Sequence, residues 1–125
     1  MAANREKNGK RITFDPGATV VSGQAVVLGT LLVVCLTDGV SGDSIEGAVD
    51  EVYSLPKLDA AVIAIGESVD LDISAGGGTG EIDDNGMTPA AGDLSDCGVA
   101  WETKGVTTSE NILVKLNAAG LATAT

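Results

Sequence analysis

The sequence contains no histidine. That removes the usual general base near neutral pH, the commonest zinc ligand and every Ser-His or Cys-His nucleophile pair. Aromatic residues are scarce as well, with Phe14, Tyr53 and Trp101 the only three. Although 44% of the chain is apolar, its core has to be assembled from valine, isoleucine, leucine and alanine and is thin. A thin core is the condition under which burial between subunits adds most. No apolar run approaches the ~20 residues of a membrane-spanning helix; the longest, LLVVCL at 31–36, has the length of a strand. The leading segment is charged with no apolar stretch behind it, which argues against a secretory signal, and no membrane partner is expected. Two cysteines, Cys35 and Cys97, permit one disulfide, but their spacing matches neither a metal knuckle nor a CxxC pair. Cys35 lies inside the apolar run and reads as a buried reduced thiol, consistent with synthesis in a cytoplasm.

Positive charge is short and unevenly placed. Lysine and arginine total 7 against 18 acids, a net charge of −11. Arg5, Lys7, Lys10 and Arg11 stand against Glu6 within residues 1–11, which leaves three lysines against 17 acids in the remainder. An acidic body repels phosphate backbones, so nucleic acid is not expected as a partner of the folded part. Residues 1–11, polar and without periodicity, read as a flexible basic arm. The whole of 125 residues fits one domain able to bury roughly two-thirds of the surface of its unfolded chain.

Beyond the arm, glycine punctuates the chain at short intervals. ITF opens an extended segment stopped by Asp15-Pro16-Gly17, a strong turn signal. ATVVSGQAVVLG at 18–29 reads as two short strands about Ser22-Gly23, and LLVVCLTDGV ends on the turn dipeptide Asp38-Gly39. In SIEGAVDEVYSL, Ile45, Gly47 and Val49 alternate with Glu46, Ala48 and Asp50. LDAAVIAI at 58–65 follows Leu-Pro-Lys and is short and β-branched, so strand or irregular turn is expected ahead of a helical piece. Val69, Leu71 and Ile73 alternate with Asp70 and Asp72, which predicts a strand with its aspartates on a wet outer face. Residues 74–96, rich in glycine, small and acidic residues, read as one long loop. CGVAWET and NILVKLN close the domain at 117, and 118–125 form a tail. Eight or nine short strands without a convincing helix point to an all-β fold, a small antiparallel barrel or sandwich over residues 12–117.

The motifs that carry chemistry elsewhere are incomplete here. GGGTG at 76–80 lacks the Lys-Ser/Thr of a P-loop and the GxGxxG spacing of a dinucleotide turn, and acids come directly after it. EIDDNG places Glu81, Asp83, Asn85 and Gly86 at positions one, three, five and six of a calcium loop, but position twelve is Gly92 where a bidentate glutamate belongs. Asp70 and Asp72 are expected to be solvated rather than catalytic. Trp101 and Tyr53 read as core residues, with an interface anchor as the other reading. No enzyme activity, cofactor or metal is expected.

The order of VVSGQAVVLGTLLVVCLTDGVSGDSIEGAVDEVYSLPK, then IGESVDLD, CGVAWET and ILVKLN, resembles the phage capsid cement, or decoration, proteins over roughly residues 12–117. The acidic stretch at 76–96 departs from that pattern. The resemblance implies a β-rich virion protein that binds the outer surface of a phage head in many copies, with the major capsid protein as partner, and that bridges neighbouring capsomers. It also implies a homo-oligomer, a trimer ahead of a dimer. Capsid contact is then expected along Arg5, Lys7, Lys10, Arg11 and Phe14. The alternative is a soluble β module of a phage tail or adhesion assembly whose acidic loop responds to calcium.

Overall fold

The computed structural model describes residues 9–75, 80–84, 93–106 and 110–118. Among them the chain forms nine strands and no helix. Strands β1 (Arg11–Phe14), β2 (Ala25–Leu28), β3 (Leu31–Cys35) and β4 (Ile45–Ala48) make one sheet in the order β1-β4-β3-β2. Strands β5 (Val52–Pro56), β6 (Ser68–Asp72), β7 (Glu81–Asp84), β8 (Leu94–Ala100) and β9 (Asn111–Leu116) make a second in the order β5-β9-β8-β6-β7. All strand pairs are antiparallel. The two sheets face each other in a sandwich-like arrangement. The second curls without closing, its far edges tied by a parallel bridge between Lys57 and Ile82.

The continuous apolar run in β3 is explained by burial on both of its faces. Leu32 and Val34 join Ala25, Ala48 and the inner residues of the second sheet in the main core. Val33 and Cys35 point the other way, into a second cluster with Phe14, Val20 and Ile45. Gly47 lies opposite Ile12 and Cys35, and a Cβ there would collide with the Val33 side chain and come within 2.8 Å of the Phe14 ring. Only glycine lets the ring lie that close. Leu28 and Leu31 face each other across a two-residue connection, and Gly29 has φ 64°, the left-handed value that such a hairpin needs at its first position.

Three expectations are corrected. Within 74–96, expected as one loop, residues 81–84 and 94–96 are strand: EIDD is β7, paired to β6 with Leu71 opposite Ile82, and 94–96 open β8. A single inward residue, the fully buried Ile82, was enough to hold an edge strand. Val20, expected in a strand, makes only a bridge to Gly39. Asp70 is 2% exposed, not on a wet face: the β8 ladder breaks register beside it, and Asp96 at that break bonds its carboxylate. Residues 58–65, expected as strand or irregular turn, form turns with one bridge between Ile63 and Lys104.

The segment Leu-Pro-Lys resolves into three jobs. Leu55 is fully buried in the main core. Pro56 ends β5, an edge strand, where a missing N–H is tolerated. Lys57 is 1% exposed, and its Nζ donates to the carbonyls of Leu58 at 2.6 Å and Ala61 at 2.7 Å. Its ammonium is thus spent on the backbone of the adjoining turn, the hydrogen bonding that a buried charge requires.

Candidate functional site

Of the five expected contact residues, Lys10, Arg11 and Phe14 lie among the described residues. Arg5 and Lys7 lie outside the described residues. Lys10 and Arg11 are exposed where β1 begins, with Lys10 Nζ 3.8 Å from a Glu51 carboxylate oxygen and the Lys10 carbonyl accepting the Val49 N–H at 3.1 Å. Lys10 and Arg11, expected in the arm, are thus tied to the fold. Phe14 is buried in the second cluster beneath this edge and is not offered at the surface; its ring is committed to covering Gly47 and Val33.

The acidic side is built around β6. Asp70 lies opposite Asp83 on β7, and the β8 ladder shifts register beside it. At that irregularity Asp96 takes φ 51° and donates its N–H to Asp70 Oδ1 at 2.8 Å. Burial pushes the Asp70 carboxyl above the usual carboxylate range, and the charges of Asp96, Asp83 and Asp84 push the same way, against the Asp96 hydrogen bond. Asp72 is held below its ordinary value by the Ser74 hydroxyl and N–H. No group of three or more metal-ligating side chains is present among the described residues. Of the calcium-like motif, Glu81 and Asp83 belong to a strand, while Asn85 and Gly86 lie outside the described residues.

A cleft of about 420 Å³ opens where the 21–25 turn of the first sheet meets β5 and the start of β9, lined among others by Val21, Gln24, Ser54, Pro56 and Asn111. Among the described residues none that lines it is ionisable, and the cleft offers apolar contact and hydrogen bonds. The two cysteines are free and buried. Desolvation, reinforced by the Asp70 charge, pushes the Cys97 thiol up to about 12, and burial raises Cys35 as well.

Tyr53 packs against the main core as expected, but Trp101 is 50% exposed. Its backbone N–H donates to the Leu113 carbonyl at 2.8 Å. Leu113 faces out of β9 between the buried Ile112 and Val114. Sequence reasoning assigns no role to Asn117 or to Lys57. Asn117 accepts the Leu32 N–H on its side-chain oxygen at 2.9 Å and donates through Nδ2 to the carbonyls of Leu32 and Val49, at 2.9 and 2.8 Å. The one signal in the sequence is an asparagine just beyond a strand, a residue type that tolerates left-handed backbone; its φ is 54°.

Two packed antiparallel sheets, with Lys10 and Arg11 exposed at one edge and an acidic flank around β6, make this an all-β protein. The sequence model of the phage cement protein family matches residues 5–116, and the chain belongs to that family. It is a phage structural protein associated with the capsid. Searches of curated proteins and of solved structures return no match.

Proposed function

We propose that this chain coats the outer surface of a phage head and holds neighbouring capsomers together. The family match over residues 5–116 carries the reading. The charge distribution supports it: four of the seven basic residues fall within residues 1–11, and the last two of these, Lys10 and Arg11, are exposed at an edge strand. In this reading Arg5, Lys7, Lys10 and Arg11 meet carboxylates of the major capsid protein, while the flank formed by Asp72, Asp83 and Asp84 faces solvent. A clamp that touches more than one capsomer gains avidity from linked contacts without any of them being strong, which suits a protein built from small side chains.

The test is to mix the purified protein with undecorated heads and measure bound copies by sedimentation and imaging, together with the resistance of the heads to heat. Saturable decoration and a higher disruption temperature are expected. Arg5→Glu with Lys7→Glu should lower occupancy, as should raised salt, because exposed ion pairs are screened. Heads that stay bare at saturating protein would defeat the reading.

A further inference from the structure

The edge strand β7 is held by little apolar burial, since Ile82 is the only one of its residues that is fully buried. Beyond its ladder to β6, the described backbone ties it at the turn after β5, where the Leu58 N–H donates to the Ile82 carbonyl at 2.9 Å and Lys57 bridges Ile82. The ladder itself sets acid against acid. Asp70 lies opposite Asp83, and Asp72 lies opposite Glu81. Like charges directly opposite on neighbouring strands are destabilising.

No cation offsets them among the described residues. Lys57 donates to the carbonyls of Leu58 and Ala61, Lys104 faces Glu110 and Glu102, and Lys115 faces Asp50. Lys10 and Arg11 stand at β1, in the other sheet. At the centre of the cluster is the buried Asp70. Asp83 and Asp84 approach it from β7, Asp96 and the Cys97 thiol from β8, and Asp72 lies on its own strand. Burial, and after it the charges of Asp96, Asp83 and Asp84, hold its pKa above the ordinary carboxylate value, against the hydrogen bond from Asp96. With a proton on Asp70, the buried group is neutral and its repulsion of Asp83 is gone. Once it ionises, moving β7 away both hydrates the carboxylate and separates the charges.

We propose that β7 is a pH-sensitive latch on the edge of the five-stranded sheet, seated while Asp70 carries a proton and opening, together with its tie to the Lys57–Leu58 turn, once Asp70 and Asp83 are both ionised. Opening frees the edge of β6 and uncovers Leu71 and Ile82 while the rest of the core stays packed. It returns Asp70 to its unfolded pKa of about 3.9. Seating is therefore strongest below that value, and the opening equilibrium grows as pH rises through the folded value, by about tenfold for each unit that separates the two. The latch belongs to the single chain, so it stands or falls apart from the coating of phage heads.

Amide hydrogen exchange of the full chain, corrected for the intrinsic effect of pH, tests this between about pH 4 and about pH 8. The amides of β7 and the Leu58 amide should lose protection together as pH rises, while those of β9 keep theirs. Added salt at the upper pH should restore part of the loss, because the partly exposed Asp72 and Glu81 are screened. Asp70→Asn, which can still accept the Asp96 N–H, should make the protection of β7 independent of pH, and Asp83→Asn, at a less buried site, should weaken the dependence. Equal loss in β7 and β9 would overturn the latch, since the chain would then be opening as a whole. So would protection of β7 that does not change with pH in the wild type, or a dependence that survives intact in both variants.

Discussion

The side-chain amide of Asn117 lies against the backbone of Leu32 and bonds both its N–H and its carbonyl. β4 pairs with β3 only at Val34 and Cys35, so beyond that point the side of β3 facing away from β2 would otherwise lack partners. The amide takes the place of a strand residue there and, through Val49, also reaches the chain leaving β4. Asn117→Ala removes these bonds from residues at the junction of the two sheets. The expected loss is about 2–4 kcal/mol, measured by urea unfolding. Asn117→Gly, which suits the left-handed backbone but keeps no amide, should recover little of it.

Gly98 sits on β8 opposite Leu116, and a Cβ there would come within 2.7 Å of the Lys115 carbonyl oxygen and of a Val114 methyl. Backbone cannot yield as a flexible side chain can. Gly98→Ala should therefore cost about 1–3 kcal/mol as overpacking. Gly105→Ala, where a Cβ would meet nothing within 4 Å, should leave thermal unfolding almost unchanged.

Lys57→Met keeps the length of the buried stem and deletes the ammonium. The carbonyls of Leu58 and Ala61 then lose their donor, at an expected cost of about 1–3 kcal/mol. Because Ile63 and Lys104 pair just beyond this turn, amide exchange at these two residues should accelerate in the variant. Unchanged exchange would show that the ammonium does not hold the turn.

Asp70 gives the pH dependence an unusual component. Its folded pKa is raised, so its contribution is fully present below the unfolded value of about 3.9 and is lost as pH rises through the folded value. Asp70→Asn can still accept the Asp96 N–H and does not ionise. Its stability relative to wild type should therefore increase as pH rises above about 4 and level off once Asp70 is ionised in the folded state. Asp15, Asp50 and Asp72 run oppositely. Hydrogen bonds from Gly42 and Gly17, from Glu51 and Lys115, and from Ser74 lower their values, so what they contribute is present above the ordinary carboxylate pKa and lost on acidification. Urea unfolding of both proteins at several pH values separates the two trends.

Cys35 and Cys97 should resist alkylation in the folded protein at neutral pH and react together on unfolding, since both are buried and the reactive species is the thiolate. Rapid labelling of either under native conditions would contradict the packing described.

Alternation and glycine spacing suffice to read the all-β class and most of the strands, because a half-buried strand writes its burial into every second residue. The same logic misplaces Asp70. Alternation reports which side of a strand a residue takes, and it is silent on a register break in the neighbouring strand such as the one that brings Asp96 onto Asp70. β7 escapes notice because one isoleucine among acids leaves almost no pattern. Trp101 is expected inside since large aromatics usually are; its place on the outer face comes from the register of β8 against β9, which only pairing reveals. Lys57 and Asn117 bond to backbone, and backbone partners leave no trace in side-chain composition.

The clasp at Leu32 spans 85 positions of the chain. During synthesis the first four strands emerge long before the asparagine that completes their border, so a nascent molecule holds an unfinished rim until residue 117 has left the ribosome. Long-range closure of this kind slows folding, and a truncation that stops short of residue 117 should leave a chain prone to sticking to its neighbours through that open strand.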